Sequence, residues 1–226
     1  MSLNLVDRID DRVTLQHALI SVSDKTGLDT FIPALLRAVP GIRLYSTGGT
    51  YTALRTLLGA QASGTLMQVS DYTGQPEMQG GLVKTLDFKI YLGLLSETYN
   101  TAHQADLSRT GAVAFDLVVV NLYPFRQAVA RPDVTPESAR THIDIGGPCM
   151  VRASAKNYLR VASVTDPADY PALAAELAAH AGTLGLATRA RLMRKAFRHT
   201  ADYDAAIAAF FAGTEDDAIR RAYSLA

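Results

Sequence analysis

The run Leu117–Asn121, LVVVN, constrains the fold of this chain most. Its apolar residues are consecutive rather than alternate, and three of them are β-branched. That pattern fits a strand covered on both faces, as strands of a parallel sheet are. The rest of the chain repeats the arrangement. Ala18–Val22 and Ile42–Tyr45 read as strands, with shorter ones near Leu66–Val69 and over Arg160–Thr165. Between them the spacing turns helical. Leu28, Phe31, Ile32, Leu35 and Leu36 share one face of a helix over Thr26–Arg37, and Leu54, Leu57 and Leu58 share a face of one over Tyr51–Leu58. Strands alternating with helices predict an α/β fold, a parallel sheet flanked by helices. After residue 166 the alternation ends, and Pro171–His180 and Ala187–Ala212 read as helices. The expected organisation is one α/β domain over 14–166, with a helical C-terminal extension over 167–226 packed on it. The stretch Asp71–Lys89 has no clean period and reads as an ordered loop of the length that tends to be functional.

Composition removes several function classes. Lys plus Arg total 22 and Asp plus Glu total 22, so no large basic face is expected for nucleic acid. Cys149 is the single cysteine. It has no disulfide partner within the chain, and no Cys/His cluster has zinc spacing. No metal site is expected from the spacing. No apolar run approaches the roughly 18 residues of a membrane helix, and Met1–Arg12 is polar, so a cytoplasmic location is expected.

Two strand ends carry similar cargo. The first is Ser23-Asp24-Lys25-Thr26-Gly27 and the second Ser46-Thr47-Gly48-Gly49-Thr50. Each sets hydroxyls and glycine between a strand and a helix N-terminus, where free N–H groups and the helix dipole favour an anion. Either loop alone is more readily read as a helix cap; two on successive strands favour a phosphate cradle. Three further segments stand out: Gly80-Gly81-Leu82-Val83-Lys84-Thr85, Asn121-Leu122-Tyr123-Pro124-Phe125 and Ile143-Asp144-Ile145-Gly146-Gly147-Pro148. Lys84 could be a solvated surface lysine, Tyr123 an edge aromatic and Asp144 a simple cap. An Asp between two isoleucines and before two glycines suggests instead a carboxylate held in a tight, partly buried turn.

Together these segments resemble the inosine monophosphate (IMP) cyclohydrolase half of the bifunctional purine-biosynthesis enzyme. The matching strings are ISVSDKTGL (20–28), STGGT (46–50), VSDYTGQPEM (69–78), GLVKTL (81–86), DLVVVNLYPF (116–125), IDIGGPCMVRASAKN (143–157) and KAFRHTADYDAAIAAFF (195–211). The resemblance implies a methylglyoxal synthase-like fold and closure of a formamidoimidazole carboxamide ribotide to IMP with loss of water, with no metal or organic cofactor required. It implies Lys84, Tyr123, Asp144 and Lys156 as the proton-handling residues. It places Ser21, Val22, Ser23, Lys25, Thr26, Ser46, Thr47, Gly48, Gly49, Thr50, Val83, Thr85, Asn121, Ile145, Gly146 and Gly147 at nucleotide- or phosphate-binding positions. A purine-precursor nucleotide as ligand and a homodimer also follow from it.

The chain departs from the family in one loop. The pattern Gly-Arg-Val-Lys-Thr-Leu-His-Pro-Lys here reads Gly81-Leu82-Val83-Lys84-Thr85-Leu86-Asp87-Phe88-Lys89, and Tyr91 and Leu92 stand where a His and a small residue are usual. Arginine to leucine removes a planar cation beside a polyanion, a loss worth about 1.5–3 kcal/mol per charged contact. Ordinary cyclisation, cyclisation of a related nucleotide in a purine-analogue pathway, and nucleotide binding with low activity are the readings compatible with that loop. A methylglyoxal synthase-like lyase or a regulatory binding module would use the phosphate cradle but not the IDIGG turn or the Lys156 helix.

Overall fold

The computed structural model describes residues 5–75 and 85–224. Its centre is a five-stranded parallel sheet. In chain order the strands are β1 (Arg12–Thr14), β2 (His17–Val22), β3 (Arg43–Ser46), β4 (Leu66–Gln68), β5 (Leu117–Asn121), β6 (Ala162–Val164) and β7 (Thr183–Gly185). The sheet runs β4-β3-β2-β5-β6. Alternate residues serve opposite faces, and both faces are buried. Ile20, Val22, Leu44, Leu117 and Val119 enter one apolar cluster; Leu19, Tyr45, Val118 and Val120 enter the other. Leu117–Asn121 is buried along its whole length, as its unbroken apolar run requires.

Helices α1 (Leu28–Ala38), α2 (Gly48–Leu58) and α9 (Tyr170–Ala179) contribute to the first cluster. Helices α4 (Phe88–Leu95), α6 (Phe125–Val129) and α8 (Gly146–Lys156) contribute to the second. The long helix α10 (Leu186–Ala212) supplies Leu192 to the first and Ala196, Tyr203 and Ala206 to the second. Chain order proceeds from β2 outward through β3 to β4, then returns to β5 on the other side of β2. A reversal of this kind opens a crevice beyond the carboxyl ends of the strands, where open α/β sheets take ligands.

Several elements differ from the sequence expectation. The segment after residue 166 is not purely helical: β7 pairs antiparallel with β1, which begins two residues ahead of the expected domain start at 14. One residue welds these pieces. Arg189 is 1% exposed, and its guanidinium donates to the carbonyls of Tyr158, Leu159, Leu184, Asp10 and Asp11 at 2.6–3.1 Å. The helix expected over Thr26–Arg37 starts two residues later, because Gly27 adopts a left-handed φ of 75° that favours glycine. The strand expected over Arg160–Thr165 shrinks to Ala162–Val164. Arg160 is instead drawn into a buried ion pair with Asp116 and onto the carbonyls of Gly93, Ser96 and Phe115.

The loop expected over Asp71–Lys89 is trimmed at both ends. Helix α3 (Val69–Thr73) runs into it, and α4 begins at Phe88; 76–84 lie outside the described residues. Three short or polar helices, α5 (Thr101–Thr110), α7 (Pro136–Thr141) and α11 (Asp216–Arg221), complete the chain. Among the described residues, no helix is long and apolar enough to cross a membrane.

Candidate active site

The parallel register sets the ends of three strands side by side: Ile20 pairs with Ser46, and Val22 with Asn121. The loops leaving them are then cross-tied. Asn121 Oδ1 accepts the N–H groups of Ser23 (2.7 Å) and Asp24 (2.9 Å), and its Nδ2 donates to the Asp24 carbonyl at 2.8 Å. Thr26 donates to the Asp24 carboxylate through its hydroxyl (2.6 Å) and its N–H (2.9 Å), which holds that carboxyl below the usual range. Thr50 Oγ1 accepts the Val22 N–H and donates to the Val22 carbonyl. Ser46 donates to the Ile20 carbonyl at 2.7 Å, and the Ser21 and Thr47 hydroxyls meet at 2.8 Å. Thr47 makes no side-chain bond to cap α2, so the first turn of α2 keeps free N–H groups for an anion.

A second helix start faces this cradle. Asp144 sits just before α8, and its Oδ1 accepts the Gly147 N–H at 2.8 Å. The Tyr123 backbone N–H faces the same carboxylate. Burial raises the Asp144 carboxyl above its ordinary value, and these two N–H groups offset part of that rise. The turn needs its glycines for close approach. A Cβ on Gly147 would lie 2.5 Å from Asp144 Oδ2 and 2.7 Å from Leu122 Cδ2, and one on Gly146 would lie 2.6 Å from Thr85 Oγ1.

Between the two helix starts lies a cleft of about 330 Å³. It is lined by Ser21, Val22, Ser23, Lys25, Thr47, Gly48, Gly49, Thr50, Thr85, Asn121, Tyr123, Asp144, Ile145, Gly146 and Gly147, all read from sequence as site residues. Leu86, Thr141, Ile143 and Met150 also line it. Of these, Ile143 and Met150 had a signal, the first flanking Asp144 and the second one helical turn beyond Gly146; Thr141 had none. Among the described lining residues Lys25 is the one cation and Asp144 the one carboxylate.

Three of the expected residues are placed otherwise. Ser46 is fully buried on its bond to β2, and Thr26 is turned to Asp24. Lys156 is exposed at the last residue of α8, about 15 Å along the helix from Gly146 at 1.5 Å per residue. A lysine there complements the dipole but does not line the cleft of a single chain. Leu82, Val83 and Lys84 lie outside the described residues. Asp87, unusual for the resembled pattern, accepts the Lys89 N–H and caps α4. Phe88 is 64% exposed, while the Tyr91 hydroxyl is buried beside Cys149.

Comparison with known proteins agrees with this geometry. The model of the MGS-like domain matches residues 33–149, and that of the AICARFT/IMPCHase bienzyme matches 154–226. The bifunctional purine biosynthesis protein PurH of Neisseria meningitidis serogroup A is 47% identical over 206 residues, which is 91% of this chain and 38% of that protein. PurH of Enterococcus faecalis is 48% identical over 193 residues, 85% of this chain and 36% of that protein. The chain thus spans less than two-fifths of the length of these relatives. The crystal structure of ForH superimposes with a TM-score of 0.72 at 32% identity, covering 88% of this chain and all of that one. The chain therefore belongs to the MGS-like domain family and is a homologue of the corresponding part of PurH.

Proposed function

We propose that the cleft closes 5-formamidoimidazole-4-carboxamide ribotide to IMP with loss of water. One observation carries this reading: a helix-start anion cradle with Lys25 faces the partly buried Asp144, the one carboxylate among the described residues lining the cleft. The phosphate sits on the Gly48–Gly49 turn and the heterocycle reaches the start of α8. Asp144, made more basic by burial, accepts the carboxamide proton as that nitrogen attacks the formyl carbon. The new C–N bond leaves charge on the former formyl oxygen. The N–H groups at the start of α8 and its dipole stabilise that charge. Tyr123, at the rim and half exposed, donates a proton to it. Asp144 then returns the carboxamide proton to the resulting hydroxyl, which leaves as water, and the formamido nitrogen gives its own proton to the Tyr123 phenolate as the C=N bond of the closed ring forms, so both residues end as they began. Every atom of the product comes from the ribotide, so no cofactor is needed.

Lys84 adjoins Thr85 in sequence and is the reaction's cation by resemblance alone. Lys156 has no step within a single chain. The ordinary ribotide is preferred over a related nucleotide because the similarity to PurH covers nearly the whole chain. By the resemblance, the protein is expected to act in the cytoplasm as a homodimer.

Incubation with the formylated ribotide, followed by the absorbance of IMP, is expected to show protein-dependent accumulation at a rate on the order of 1 s⁻¹ or faster. Light scattering of the same preparation should read about twice the chain's 24.3 kDa. Tight nucleotide binding without turnover would remove the cyclohydrolase reading, and a single-chain mass would remove the dimer.

A further inference from the structure

The turn that presents Asp144 is held from a distant part of the chain. The Tyr203 hydroxyl accepts the Asp144 N–H at 2.8 Å and donates to the His142 carbonyl at 3.2 Å. One phenol thus pins the backbone on both sides of Ile143. Its ring is buried at 8% exposure and meets Phe125 edge-on, with centroids 6.2 Å apart. Phe125 follows Tyr123 by two residues, and the Tyr123 N–H faces the Asp144 carboxylate. The carboxylate is therefore fixed from three elements: by Gly147 on α8, by Tyr123 after β5 and, through the backbone, by Tyr203 on α10.

We propose that Tyr203 is the positioning residue of Asp144, setting the carboxylate's place in the cleft without touching substrate. The inference rests on Asp144 as the proton acceptor of the proposed reaction. A phenol suits the task because one hydroxyl both accepts and donates, and its rigid ring is held in the core against Phe125 of α6. Without it, the Asp144 N–H and the His142 carbonyl lose their partner and the turn can relax. Shifts of about 1 Å in a reacting group cost roughly 10²-fold in rate. The titratable groups facing the hydroxyl are Asp144, Asp204 and Tyr123.

Tyr203→Phe keeps the ring and deletes the hydroxyl. Steady-state kinetics with the formylated ribotide should show kcat about 10-fold or more lower, with KM and IMP affinity within about 2-fold of the parent. A kcat unchanged in folded protein would overturn the proposal, as would a loss confined to KM. Incorporating 3-fluorotyrosine at 203 retains the hydroxyl if the Phe variant folds poorly. It weakens acceptance and strengthens donation, and kcat should fall by a smaller factor; no change there would overturn the proposal. Should the parent protein prove inactive on the ribotide, the cyclohydrolase reading fails by itself. The positioning role is then read from the ¹³Cγ titration of Asp144. A displaced midpoint in Tyr203→Phe supports it, and an identical midpoint overturns it.

Discussion

Asp144→Asn is expected to lower kcat for ring closure by about 10²–10⁴-fold, the range over which a positioned general base acts, while the chain stays folded. Asparagine has nearly the volume of aspartate and keeps an Oδ1 to accept the Gly147 N–H. What it removes is the proton acceptor and its charge. Stability should move the other way. Burial raises the folded-state carboxyl above its ordinary value, so the native state holds the proton more tightly than the unfolded chain. The stabilisation this gives is complete below the unfolded value and is lost as pH rises through the folded one. At neutral pH the ionised carboxylate is therefore a burden that asparagine lifts. The melting temperature of Asp144→Asn relative to the parent should rise between acid and neutral pH. A kcat within about 3-fold of the parent would remove Asp144 from the chemistry; a relative melting temperature that falls with pH would contradict the account of its environment.

Arg189→Met carries the largest expected effect on stability. Five carbonyls from three separated stretches converge on this one guanidinium. Methionine fills much of the space but donates nothing, and each buried acceptor left without a partner costs roughly 1–3 kcal/mol. Relief from burying the cation offsets part of that sum. A net loss of at least about 3 kcal/mol is expected, or roughly 6–12 °C in melting temperature at this chain length. The contacts join β7, the residues just before β1 and the turn after α8, so the extension and the α/β domain should melt together in one transition. A shift under about 2 °C, or two separated transitions, would contradict the clamp.

The fold was legible where burial is two-sided and periodic. Leu117–Asn121 and the leucine face of α1 declare themselves because each residue's neighbours repeat the pattern. Strands β1 and β7 are three residues long and carry no period, so only their pairing identifies them. Helix α5 was missed because it buries little more than Leu107, leaving almost no apolar stripe to detect. The site was legible as a set of residues but not as a set of roles. Asn121 and Ser46 fell among the expected nucleotide contacts, yet the Asn121 amide ties the 23–24 loop and the Ser46 hydroxyl is spent on β2. Both roles arise from strand register, which no linear motif states. Tyr203 lies 59 positions from Asp144. It sits inside a string that matched the resembled family, and nothing in that string says which turn its hydroxyl holds.

The most direct measurement follows the formyl carbon itself. Ribotide labelled with ¹³C in the formyl group is mixed with the protein and monitored by NMR. The formyl resonance should give way to that of C2 of the closed purine ring, with an equimolar gain of IMP, and Asp144→Asn should slow the conversion by the factor given above. Binding that leaves the formyl resonance in place, or its conversion to free formate, would contradict ring closure as the chemistry of this cleft.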